Sequence, residues 1–185
     1  MIIEFQNIID ASEDLIEIVR NWRNSSQVSR YMITNHCITI EEHQRWIEKL
    51  RTTNTAKSWL IRYKGKPVGL ASLSDIDYVN KTTDWGFYIA DESVRGKGIG
   101  SATLYMLMDY VFFTLGLHSM ITFVLDNNKV ALRMYEKFGF IREQKISQQL
   151  TRDKKQINVY TMRISKEEWE RRKEEIPHPS ASSLF

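Results

Sequence analysis

The chain has 185 residues, 42% of them hydrophobic and 11% aromatic, enough to bury one full core in a single domain. Lys and Arg number 26 against 23 Asp and Glu, a net charge of +3 spread along the chain without a basic arm, so nucleic acid is not the default partner. Cys37 is the only cysteine, which excludes an internal disulfide framework and a cysteine-based zinc cluster; no segment reaches the roughly eighteen apolar residues of a membrane span, and a soluble cytoplasmic protein is expected.

Residues 2–8 alternate apolar with polar and predict a first strand, after which Leu15, Ile16, Val19 and Trp22 set the stripe of an amphipathic helix over 11–22. Asn24-Ser25-Ser26 should stop it, with a short helical piece over 27–32. Thr39 and Glu42 have the spacing of a capping box and predict a helix through Leu50, with Ile47 and Leu50 inward. Residues 58–63 and 68–75 read as a hairpin around Lys64-Gly65-Lys66-Pro67, and residues 84–90 as the next antiparallel strand.

Residues 94–100, Val-Arg-Gly-Lys-Gly-Ile-Gly, follow that strand and precede an apolar segment of core-helix length over 99–115, closed by Gly116. Glycines at 96, 98 and 100 remove the β-carbons that keep a ligand off the backbone, so successive N–H groups can converge on an anion at the helix start. Such a loop suits a pyrophosphate, although glycines beside basic residues also make solvent turns. A strand over 118–125, a helix over 131–138 closed by Gly139, a long hairpin over 140–150 and 156–164, and a charged helix over 166–175 complete the domain, taken as residues 1–176. Residues 177–185 mix Pro and Ser without periodicity and read as a disordered tail. His36, His43, His118 and His178 lack the mutual spacing of a ligand set, so no metal is expected.

Joined to Asn128, Ala131, Tyr135-Glu136-Lys137 and Gly139-Phe140 downstream, the loop from Arg95 to Gly100 resembles the two-part signature of the GCN5-related N-acetyltransferase (GNAT) superfamily. The resemblance implies an α/β acyl-CoA N-acyltransferase fold, a mixed and mostly antiparallel sheet with flanking helices, and acetyl-CoA as co-substrate. By it, Arg95, Gly96, Lys97, Gly98, Ile99 and Gly100 would hold the pyrophosphate. Tyr88, Ile89 and Ala90 would offer strand-edge backbone groups to the pantetheine arm, and Asn128 would contact the cofactor unless it is simply a helix N-cap.

Tyr135 is implied as the general acid that protonates the leaving thiolate, against the alternative of a core tyrosine. An ammonium has no lone pair with which to attack, so a base is needed. The resemblance implies Asp84, where relatives often place a carboxylate, since the strand over 121–125 lacks the glutamate that other relatives keep there; a turn carboxylate, with water as the base, is the alternative. Direct transfer without an acyl-enzyme follows, and Cys37 is then not a nucleophile.

On the acceptor side, Asn21-Trp22-Arg23-Asn24, Val28, Arg30-Tyr31-Met32, His43, Trp46 and Trp85-Gly86-Phe87 are similar to the branch that acetylates UDP-linked 4-amino-4,6-dideoxy sugars in pseudaminic acid biosynthesis. Tyr31 and Met32 could then stack on uracil, and Arg30 or His43 meet phosphate, while Trp22, Met32 and Trp46 also suit helix packing. The same start is similar to ribosomal-protein N-terminal acetyltransferases, though Asn158 and the 131–135 segment depart from them. A non-catalytic acetyl-CoA-binding module is the third reading. Dimers are common in the family, and the final hairpin is a candidate for joining two copies.

Overall fold

The computed structural model describes residues 2–152 and 154–179. Strand β1 (Ile3–Asn7) leads through a 3₁₀ turn into helices α1 (Glu13–Asn24), α2 (Ser26–Ser29) and α3 (Ile40–Thr52). Strands β2 (Lys57–Tyr63), β3 (Lys66–Asp77) and β4 (Thr82–Ile89) form a meander, followed by helix α4 (Ile99–Asp109) and a π-helical turn over Tyr110–Thr114. Strand β5 (Ser119–Leu125), helix α5 (Lys129–Lys137), strands β6 (Ile141–Arg152) and β7 (Lys155–Ser165), and helix α6 (Lys166–Arg172) complete the chain.

The strands form one seven-stranded sheet in the order β1-β2-β3-β4-β5-β7-β6. Neighbours are antiparallel except β4 and β5, which run parallel. Side-chain alternation divides the core between the two faces. Trp59, Ile61, Ala71, Leu73 and Trp85 belong to the larger cluster, with Leu104 and Met108 of α4, Leu132 of α5 and Trp169 of α6. Leu60 and Leu70 point the other way and join Val19 of α1 and Ile47 and Leu50 of α3. The mixed, mostly antiparallel sheet with flanking helices is therefore as the sequence implies.

Local chemistry explains the boundaries. Thr39 Oγ1 accepts from the Glu42 N–H at 3.2 Å, and Glu42 Oε2 accepts from the Thr39 N–H at 2.8 Å, so the capping box opens α3. Ser165 caps α6, whose Trp169 is fully buried and donates its indole N–H to Asp109 at 2.8 Å. Lys173 closes the same carboxylate at 2.8 Å, which pins the C-terminal segment to α4.

Some expectations shift. The segment over 99–115 is α-helical only to Asp109, and over 27–32 only the α2 residues are helical. Strand β3 runs two residues past Asp75, because Asp75 takes a positive φ of 48° and forms a bulge opposite β4. Of the tail expected from 177 onward, residues 177–179 are described, with the His178 ring edge-on to Tyr105 at 5.0 Å; residues 180–185 lie outside the described residues. Among the described residues no helix is long and apolar enough to cross a membrane.

Gly69 lets β3 approach β4: a Cβ built there would lie 2.1 Å from the Tyr88 carbonyl oxygen. Gly69→Ala should cost about 1–3 kcal/mol in urea unfolding, because backbone rather than a flexible side chain must give way. Gly86→Ala, where an added Cβ meets nothing within 4 Å, should change the midpoint little and serves as the control.

Candidate active site

The site begins where the parallel pair fails. Strands β4 and β5 pair only over Thr82–Ser119, Thr83–Met120 and Asp84–Ile121. Beyond Asp84, β4 stays with β3 and β5 with β7, so the two strands part. The Ala90 N–H donates to the Val68 carbonyl at 2.8 Å, which sets the alternation of the strand: residues 88 and 90 turn their backbone groups toward β3, residues 87 and 89 toward the gap. Of the three residues expected to offer strand-edge backbone groups, Ile89 turns its own toward the gap, where its carbonyl accepts from Arg95 at 3.5 Å. Tyr88 turns toward β3 instead and the Ala90 amide is already bonded, both because strand pairing uses alternate residues.

At the outer end of the gap, Gly96 and Gly98 take φ of 75° and 79°. Gly98 is the N-cap of α4 and supplies no side chain, so the first amides of that helix have no cap. A Cβ at Gly96 would meet nothing within 4 Å, and one at Gly100 only ordinary contacts with Phe87 and Met134. These glycines leave room for a ligand and are not demanded by internal packing. An uncapped eleven-residue helix start beside an open strand edge fits the pyrophosphate and amide-bearing arm of acetyl-CoA.

Arg95 lies at this end, paired with Glu92 at 2.5 Å, with its other nitrogen 3.5 Å from the Ile89 carbonyl. Lys97 and Ile99 lie on the same turn and helix start. The Asn128 side chain accepts from the Ala131 N–H at 3.2 Å and caps α5, which leaves its amide N–H₂ available.

The gap opens into a cavity of about 880 Å³ between the sheet, α1, α3, α5 and the segment after α2. Arg30, Tyr31, Met32, His43, Asp84 and Tyr135 all border it, as do Tyr88, Ile89, Arg95 and Asn128. The topology thus brings residues more than 100 positions apart around one space.

Tyr135 is 6% exposed, edge-on to Trp85 at 5.0 Å and tilted on Phe140 at 5.7 Å. Burial pushes its phenol well above the usual range, so it is a protonated donor at neutral pH. Asp84 occupies the fork, the last residue paired on both sides. Burial raises its carboxyl, the negative charge of Asp75 raises it further, and Arg163 opposes both. A proton acceptor of raised affinity and a buried proton donor therefore share one cavity.

His43 is tied down instead of free. Its Nε2 donates to the Ile16 carbonyl at 3.0 Å and its ring packs 5.1 Å from Trp46. Burial lowers its pKa. The Arg30 guanidinium lies over the Tyr31 ring at 5.0 Å, and Tyr31 is 39% exposed.

Three buried polar atoms have no hydrogen-bond partner among the described residues: Arg23 Nη1, Trp85 Nε1 and Tyr88 Oη. Their residues all border the cavity. Arg23 uses its other nitrogen on Thr34, at 2.5 Å from the carbonyl and 3.0 Å from the hydroxyl. Desolvation lowers its pKa. The sequence pattern includes Arg23 in the acceptor-side segment without giving it a contact, although it stands four residues after Val19, on the apolar side of α1, where a cation is out of place. The hydroxyl of Tyr88 was missed because only its backbone was considered.

Comparison with known proteins follows the same geometry. The acetyltransferase (GNAT) domain family matches residues 8–141. The acetyltransferase PseH of Campylobacter jejuni is 28% identical over 141 residues, 75% of this chain and 84% of that protein. The crystal structure of spermidine N-acetyltransferase from Vibrio cholerae in complex with CoA and spermine superposes with a TM-score of 0.80 at 19% identity, covering 90% of this chain and 97% of that one. The Campylobacter jejuni N-acetyltransferase PseH in complex with acetyl coenzyme A gives 0.67 at 19% identity, over 89% and 99%.

Asp84 should hold its proton to higher pH than an ordinary aspartate in a carbon-detected carboxyl titration. Because its folded pKa lies above its unfolded one, the native state is favoured where the group is protonated and loses that advantage as pH rises through the window between the two. Asp84→Asn should therefore raise the unfolding midpoint at pH 7 and gain progressively less as the pH falls.

Proposed function

This chain belongs to the GNAT family of acetyltransferases, and from that premise we propose that it transfers the acetyl group of acetyl-CoA to the 4-amino group of a UDP-linked 4-amino-4,6-dideoxy sugar. The observation that carries the acceptor choice is that Arg23 and Arg30 border the cavity, where an acceptor linked through a pyrophosphate would meet them. Arg23 and Trp85 can only donate, and Tyr88 can donate as well. A cavity bordered by these donor residues suits a ligand rich in oxygen acceptors, as hydroxyls, a uracil and a pyrophosphate are.

A polyamine is the contrasting acceptor, as in the spermidine N-acetyltransferase neighbour. Its ammonium groups would be set against Arg23 and Arg30, while the carboxylates of Glu42 and Asp84 border the same cavity and are the groups they would seek. The similarity of the acceptor-side residues to the sugar-acetylating branch points the same way.

When bound, acetyl-CoA supplies a thioester carbonyl as electrophile. The glycine loop and the amides that open α4 hold its pyrophosphate, and the backbone groups of Phe87 and the N–H of Ile89 align its arm along the β4 edge. Asp84, directly or through water, takes the proton from the acceptor ammonium and leaves an amine with a lone pair. The Tyr135 hydroxyl gives its proton to the departing sulfur, so the products are the sugar amide and CoA thiol. Exclusion of water around Tyr135 keeps that proton in place until the thiolate forms.

Thiol release from acetyl-CoA, measured with the UDP-4-amino sugar, spermidine and N-terminal ribosomal peptides, tests the acceptor. Selective turnover of the UDP-amino sugar is expected. Preference for spermidine or for a peptide would overturn the assignment, and tight acetyl-CoA binding with no turnover would leave a binding module. Tyr135→Phe should lower turnover by about 10²- to 10⁴-fold with acetyl-CoA affinity kept, and Asp84→Asn should remove the acid limb of the kcat/KM profile. Unchanged turnover in the first variant, or an unchanged limb in the second, would remove that residue from the mechanism.

A further inference from the structure

The acceptor side of the cavity is walled by a stretch with no regular structure. Residues 30–39 run between α2 and α3 and carry Tyr31, Met32, Ile33 and Thr34 to the cavity. A wall of this kind has no ladder of main-chain bonds, so its shape depends on what grips its carbonyls.

The grips come from two directions. From α1, Arg23 holds Thr34, and Asn24 both donates to the Ile38 carbonyl at 2.9 Å and accepts the Ile38 N–H at 2.7 Å. From the far end of the chain comes Arg152, the last residue of β6, paired with Lys155 across the tip of the final hairpin. Its Nη1 donates to the Arg30 carbonyl at 3.0 Å, and its Nη2 to the Ile33 carbonyl at 2.7 Å and to the carbonyl of Met32. One guanidinium thus engages three carbonyls within four residues of the wall, about 120 positions away in sequence.

We propose that Arg152 is a positioning residue for the acceptor: by clamping the carbonyls of Arg30, Met32 and Ile33 it holds Tyr31 and Met32 at the cavity and so sets acceptor affinity, with no contact to the reacting atoms. The proposal rests on the cavity being the acceptor side, though not on which amine enters it. The residue type suits the task. A guanidinium presents a planar fork of donors that can serve three carbonyls in fixed directions, whereas a lysine ammonium is a point charge on a flexible stem. The tip of the β6–β7 hairpin and the acceptor wall thereby become one unit, so a change at the hairpin is felt at the acceptor and not at the glycine loop on the other side of the gap.

Arg152→Ala and Arg152→Lys test this with two readouts. The first is hydrogen exchange of residues 30–38 in the acetyl-CoA-saturated protein, with β2 and β3 peptides as internal reference. It needs no acceptor and so stands apart from the outcome of the acceptor panel. In Arg152→Ala the wall should exchange about tenfold faster while the reference peptides keep their rate. The second is steady-state kinetics with the UDP-4-amino sugar and with spermidine. For whichever turns over, the acceptor KM should rise about tenfold, with kcat and the KM for acetyl-CoA nearly unchanged, and Arg152→Lys should fall between. A merely structural arginine would lower the active fraction and thus kcat, leaving both KM values alone. Unchanged exchange in the wall, or faster exchange with an unchanged acceptor KM, would overturn the proposal. Should neither amine turn over, the acceptor reading fails and the exchange experiment alone decides the clamp.

Discussion

The structure depends on one failed pairing. Strands β4 and β5 join through three residue pairs, Thr82 to Asp84 against Ser119 to Ile121, and then separate, β4 staying with β3 and β5 with β7. Everything chemical is arranged around that fork. The edge of β4 turns the backbone groups of residues 87 and 89 to the gap, Asp84 stands at the apex, and α4 starts with its amides uncapped while Asn128 caps α5. A fully zipped parallel pair would bury these groups in ladder hydrogen bonds and leave no cavity of about 880 Å³.

The fork is kept open by strong support elsewhere. The larger core cluster joins both arms to α4, α5 and α6, with Trp169 fully buried and locked through Asp109. The site itself works against stability. Asp84 is a partly buried carboxylate raised in pKa, and Arg23, Trp85 and Tyr88 each hold a buried polar atom without a partner among the described residues. Buried polar atoms left unpaired cost about 1–3 kcal/mol each. Such costs persist where a ligand restores the missing bonds, and here all three residues border the same space.

The two sides of the cavity are built by different physics. One is regular: a strand edge, a glycine turn and a helix start, which present backbone amides. The other is an irregular wall gripped by side chains from α1 and from the tip of the β6–β7 hairpin. Backbone recognition tolerates sequence change outside the glycines, whereas a side-chain-gripped wall can be reshaped by single substitutions.

Much of this was legible before the fold was seen, wherever the signal was local. The capping box at Thr39 and Glu42, the turn at Gly65, the glycines at 96 and 98 and the Asn128 to Phe140 segment all express short-range geometry, and a reader of residues can recover short-range geometry. The family follows from two such local patterns in their order. Tertiary structure alone decided which atoms are free. Ala90 loses its amide to Val68, His43 spends Nε2 on Ile16, and Arg23 and Tyr88 gain a role because burial strips their polar atoms of water and of partners. The grip of Arg152 on a wall some 120 residues earlier could not be read from the chain either, since no local pattern records which carbonyls a distant guanidinium will meet. Propensity and periodicity act over a turn or two of backbone, while satisfaction of a buried polar group depends on everything packed around it.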